Sequence, residues 1–84
     1  MKTYFLVFNK MNAKKLREIV KAANEFDQCQ IYIEYKQMKM NAKSLLSVSL
    51  LLGKQGLYCI YATGKNCRTA LESLRAICTE EYAL

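Results

Sequence analysis

The stretch EYKQMKMNAKSLLSVSLLLGKQG, residues 34–56, changes its period partway through, and that change decides the fold. It continues a β-rich run, QIYIEY at 30–35, into a tight KQ connection and a second strand over 38–42 that pairs back on the first. Ser44 then stands before a short apolar helix over 45–52, which the GKQG turn ends. A hairpin followed at once by a capped apolar helix belongs to a mixed fold in which helices must find a sheet to lie on.

The rest of the chain supplies the other elements. TYFLVF at 3–8 is β-rich and apolar, and LYCIYA at 57–62 reads as a further strand with TGKN as the turn after it. From Ala13 to Phe26 the apolar positions Leu16, Ile19, Val20, Ala23 and Phe26 step by three and four. They form one face of an amphipathic helix, with Lys14, Lys15, Arg17, Glu18, Lys21 and Glu25 mostly on the wet side and Asn12 as its N-cap. Cys67, Ala70, Leu71, Leu74, Ile77 and Cys78 repeat the same steps in a last helix from Cys67 to Cys78. The order β-α-β-β-α-β-α predicts an α+β, open-faced two-layer β-sandwich, with the helices on one face of the sheet and one domain over 1–84.

Composition narrows the function classes. No apolar run approaches the ~20 residues that cross a bilayer, so no membrane role is expected. The opening MKTYFLVFN lacks a small-residue cleavage site and reads as a strand, which makes the cytoplasm the expected location. Cys29, Cys59, Cys67 and Cys78 form no C-x-x-C pair, and the chain has no histidine, so small core fillers fit better than metal ligands. No metal and no cofactor is expected. The formal charge of +6 admits nucleic acid, acidic protein or phosphate as partner without selecting one.

Within the deciding stretch, KMNAKS at 39–44 echoes KMNAKK at 10–15, five of six letters agreeing at an offset of 29. The first copy opens a long helix and the second follows a hairpin, so these are two different sites and not a structural repeat. Lys10, Lys14, Lys15 and Arg17 gather at a helix N-terminus, where cations oppose the macrodipole. Either they recognise an anion with the free amides, or they are solvated lysines of a basic protein.

N-A-K-S after a hairpin, a short apolar helix, G-K-Q-G, an apolar strand, A-T-G and A-L-E-S-L together resemble the HPr family of phosphocarrier proteins, from about Lys2 to about Ile77. The family opens its first helix with G-(apolar)-H-A-R-P-A. Set against that pattern, KMNAKKL places Lys10 on the glycine, Met11 on the apolar residue, Asn12 on the histidine, Lys14 on the arginine and Lys15 on the proline. The second copy falls on the serine that a dedicated HPr kinase phosphorylates in many Gram-positive members, here Ser44, with Leu45, Leu46 and Val48 as the docking patch beside it. The family's following glycine is Ser47 here, and a methionine of its patch is Ser49.

What the resemblance implies is a family member without the family's reaction. An amide nitrogen has its lone pair delocalised into the carbonyl and does not attack a phosphoryl donor, so Asn12 makes this a non-catalytic protein. It is similar to the HPr-like paralogue in which glutamine replaces the histidine, a corepressor when its serine is phosphorylated. The implied partners are proteins of the sugar phosphotransferase or carbon-catabolite system. Two alternatives stand beside this reading: a residual phosphocarrier using another residue such as a cysteine, and a small basic nucleic-acid-binding α+β domain, ranked low because no RNP-like aromatic motif is present. If Ile31, Ile33, Tyr58 and Ile60 face the helices, then Tyr32, Leu57, Cys59 and Tyr61 face outward with Tyr4 and Leu6, a face apolar enough for a homodimer or a partner.

Overall fold

In the computed structural model, which describes residues 1–79, the last strand forms the spine of the sheet. This strand, β4 (Gly56–Gly64), pairs antiparallel on one side with β1 (Lys2–Val7) and on the other with β2 (Cys29–Tyr35). The hairpin strand β3 (Met38–Asn41) continues beyond β2, giving the order β1-β4-β2-β3. The described residues also form three helices: α1 (Ala13–Asn24), α2 (Leu45–Val48) with a 3₁₀ turn over Ser49–Leu51, and α3 (Cys67–Thr79). The architecture is the α+β open-faced sandwich that the residue pattern predicts.

The core lies between sheet and helices. Phe5 and Val7 of β1, Cys29, Ile31, Ile33 and Tyr35 of β2, and Tyr58, Ile60 and Ala62 of β4 alternate inward. They meet Leu16, Ile19 and Ala23 of α1 and Ala70, Leu71, Leu74 and Cys78 of α3. Each fully buried leucine or isoleucine contributes about 1.5–3 kcal/mol. Tyr58 stacks with Phe5 at 6.2 Å between ring centroids and lies 4.9 Å from the Tyr35 ring. Its hydroxyl donates to the Lys54 carbonyl at 3.1 Å, and that of Tyr35 donates to the Gln55 carbonyl at 2.8 Å, so two core tyrosines hold the turn before β4.

Several boundaries differ from those read off the sequence. Helix α1 ends at Asn24, two residues early, because the Asn24 side chain donates to the Val20 and Lys43 carbonyls and the Lys43 ammonium donates to the Phe26 carbonyl at 2.7 Å. The expected helix over 45–52 tightens into a 3₁₀ turn after Val48. Strand β4 absorbs Thr63 and Gly64, which pair with Gln30 and Cys29. On the open face Tyr4, Leu6 and Leu57 are exposed as expected, but Cys59, flanked by its cross-strand neighbours Tyr4 and Glu34, is buried.

Candidate functional site

The segment before α1 is held from below. Met11 is buried at 1 % exposure, its N–H donates to the Lys54 carbonyl at 3.0 Å, and its own carbonyl accepts from the Gly53 N–H at 2.7 Å. This strap sets Asn12 in extended backbone at the mouth of α1, where its Oδ1 accepts from the Lys15 N–H at 2.8 Å. Asn12 is therefore the N-cap, and the helix itself gives the Ala13 and Lys14 amides no partner. Lys10, Lys14 and Arg17 are exposed around this end, and α1 has no acid in its first turn. The strap adds Lys54, exposed, which pattern reading missed because it lies 42 residues away and only the Met11 ladder brings it in.

Lys15 departs from the expected wet face and from the expected exposed cluster, being only 7 % exposed. The reason is spacing: Lys15, Ile19 and Ala23 are four apart and share the stripe that faces the core. Its aliphatic stem packs there, and its charge lies close enough to Cys78 to favour that thiolate.

The second copy of the motif is built differently. The Asn41 side chain accepts from the Lys43 N–H at 2.9 Å, a local turn, and the cap falls to Ser44, whose Oγ accepts from the Ser47 N–H at 3.2 Å. The same letters thus cap through asparagine once and through serine three residues later the second time. Leu46 is 85 % exposed, with Leu45, Leu50 and Leu52 about half exposed around it, the last two in positions that the apolar run could not assign. Val48 corrects the expected docking patch. It is fully buried, pointing from α2 into the core, and offers nothing to a partner. The ammonium of Lys43, the residue before Ser44, is bound to the Phe26 carbonyl.

No cysteine replaces a nucleophile at the α1 mouth. Cys67 begins α3 at the far end of β4, whose nine residues span roughly 30 Å, and the Val7–Gly56 pair marks the near end. Cys78, beside Lys15, is 3 % exposed, and burial pushes its thiol up from 9.0 to about 12, partly opposed by the Lys15 charge. It stays protonated at neutral pH and is no nucleophile. Among the described residues no three cysteine or carboxylate side chains gather as a metal site.

The raised thiol makes a stability prediction. Above its ordinary value of 9.0 the unfolded chain releases the Cys78 proton while the folded one retains it up to about 12. Stability is then complete below about pH 9 and falls as pH rises, by up to about 1.4 kcal/mol per pH unit. Tyr58, also raised mainly by burial, acts in the same direction at higher pH. Urea unfolding followed between about pH 8 and about pH 10.5 is expected to show this loss, and Cys78→Ala to flatten it. An equal slope in the variant would assign the loss elsewhere.

Comparison with known proteins bears on the family and the fold. The family model for the PTS HPr component phosphorylation site matches residues 9–80. The crystal structure of HPr from Bacillus anthracis is 28% identical over 92% of this chain and 96% of that one, at a TM-score of 0.76. Crh, a catabolite repression protein of Bacillus subtilis whose crystal structure is a swapped dimer, is 30% identical over 87% of this chain and 84% of its own, at a TM-score of 0.74. HPr-C-His from Thermoanaerobacter tengcongensis shares the fold at a TM-score of 0.84, covering 100% of this chain and 97% of its own at 21% identity.

Proposed function

This chain belongs to the HPr family of the phosphotransferase system, and we propose that it serves there by binding, not by carrying phosphate. The observation that carries the reading is Asn12: an amide stands at the mouth of α1, its oxygen engaged as the helix cap, in a chain with no histidine. The carboxamide nitrogen has its lone pair delocalised into the carbonyl and cannot take up a phosphoryl group, and the oxygen is held in the cap. What remains at that end is an anion-attracting surface of Lys10, Lys14, Arg17 and Lys54 around a helix N-terminus.

Ser44 is the regulated residue in this reading, and carbon-catabolite control in the cytoplasm is the process, as the likeness to Crh suggests. A phosphate on Ser44 would place close to two negative charges at the start of α2, favourable to the helix and beside exposed Leu45, Leu46 and Leu50. The Lys43 ammonium is bonded to the Phe26 carbonyl, so turning it fully toward the phosphate would cost that hydrogen bond. The signal is a change of surface charge next to an apolar patch.

The test is incubation with HPr kinase and ATP. One phosphate per chain is expected, located on Ser44 by mass spectrometry and absent from Ser44→Ala. That variant loses a cap at a cost of about 1 kcal/mol, so its circular dichroism is compared with the parent's. No incorporation into the folded parent would remove Ser44 from the mechanism.

A further inference from the structure

Strand β1 is an edge. Among the described residues no strand pairs with its outer side, and it runs through six consecutive partners on β4 without a bulge, proline or glycine. The Met1 amine donates to the Ala62 carbonyl and accepts nothing in return, but the Met1 carbonyl takes the Ala62 N–H at 2.9 Å, so this is a hydrogen-bonded pair. Antiparallel pairs alternate. Thr3, Phe5 and Val7 therefore bond to β4, while Lys2, Tyr4 and Leu6 turn their N–H and C=O groups to the outer edge.

Alongside this edge, between β1 and the end of α3, runs a groove of about 340 Å³ lined by Phe5, Leu6, Phe8, Arg75 and Thr79. Phe8 is 79 % exposed and Leu6 52 %. Natural sheets blunt such an edge with charge, proline or a bulge, and here the only charge on β1 is Lys2 at its start. The backbone thus offers three donors and three acceptors in register, and the groove offers an apolar slot for every second side chain of a strand laid against it.

We propose that the β1 edge takes up an extended segment of an acidic partner protein as a fifth strand of the sheet. Side chains opposite Phe5 would enter the groove beside α3, and their neighbours would lie over Tyr4 and Leu6. Charge selects the occupant: Lys2 marks one end of the edge and Arg75 the other, so carboxylates at the two ends of an apolar segment match it. A second copy is the poorer fit, since it brings a further +6 to a chain of +6. The surface uses neither Asn12 nor Ser44.

The probe is a labelled seven-residue peptide alternating valine and threonine, with glutamate at both ends, added to the full chain. Amide exchange followed by NMR is expected to slow at least tenfold at Tyr4 and Leu6 and to change little at Thr3 and Phe5, which are already bonded. Leu6→Pro, which deletes an outward N–H and leaves the β4 ladder intact, is expected to weaken binding at least tenfold. Arg75→Glu, a second variant on another element, is expected to weaken it at least threefold and to improve binding of a control peptide with lysine in place of both glutamates. Leu57→Lys, on the open face but one strand inward, is expected to bind within twofold of the parent. Unaltered exchange at Tyr4 and Leu6 overturns the proposal, as does a Leu57→Lys loss equal to that of Leu6→Pro. So does protection of those amides before peptide is added, whether from a second copy, seen as a concentration-dependent mass, or from the chain itself.

Discussion

Given enzyme I and phosphoenolpyruvate, the parent chain is expected to take up no acid-labile phosphate, and Asn12→His to take up close to one per chain. The two side chains differ in little but the nitrogen. In asparagine the nitrogen pair is shared with the carbonyl; in imidazole one ring nitrogen keeps its pair in the plane and can attack phosphorus, then leave again as the group moves on. The surroundings for the transferred group are already there. The first helical amides point outward, the dipole favours negative charge, and Lys10, Lys14 and Arg17 are exposed nearby. The variant is expected to be slow. Lys14 stands at the position of the family's arginine and gives a single point charge where a guanidinium would give two parallel bonds, so adding Lys14→Arg is expected to raise the rate further. Exchanging the Asn12 cap for histidine costs about 1 kcal/mol, little enough for the fold to survive. Acid-labile label on the parent would overturn the binding-only reading. Label on neither protein, with both folded, would mean that residue 12 does not stand where the family's histidine stands.

How much of this was legible beforehand depended on whether one residue's neighbours in sequence were also its neighbours in space. The helix faces were readable because Leu16, Ile19 and Ala23, and Ala70, Leu71, Leu74 and Cys78, repeat at the helical period and nothing else satisfies that period. Asn12 and Ser44 were readable as caps because capping is a contact between residues three apart. The charge of Lys15 points to water, but its place four before Ile19 puts the stem on the core stripe. Val48 and the leucines around it lie in LLSVSLLL, where the two polar residues, Ser47 and Ser49, are two apart and so fall on opposite sides of a helix and mark no single wet face. After Val48 the chain shifts to a 3₁₀ turn, a change of period that the run of leucines does not announce. The placing of Lys54 rests on its contact with Met11, and the burial of Cys59 on the neighbouring strands, in both cases between residues far apart in the chain.

Replacing Gly64 with alanine is expected to cost about 3 kcal/mol or more and to lower the melting temperature by roughly 15 °C or more, following the ~4–8 °C per kcal/mol of a domain this size. Two separate effects combine. Gly64 sits at φ +109, a conformation that L side chains rarely adopt, and the penalty for a Cβ there is of order 1–2 kcal/mol. The space is closed as well: an added Cβ would fall inside contact distance of the Gln28 carbonyl oxygen and 3.2 Å from the Cys29 Cα, both of them backbone. Backbone cannot rotate away as a side chain would, so overpacking adds a further 1–3 kcal/mol or so. The close approach is what lets the end of β4 pair with Cys29 while the Lys65 N–H reaches the Gln28 carbonyl at 3.2 Å, turning the chain into α3. Gly53 is the control, since it also has positive φ, +78, but nothing lies within 4 Å of its Cβ position. Gly53→Ala is then expected to lose only the conformational part. Equal losses in the two variants, measured by thermal unfolding, would show that the Gln28 approach contributes nothing and that the β4–α3 turn tolerates a wider spacing than the fold implies.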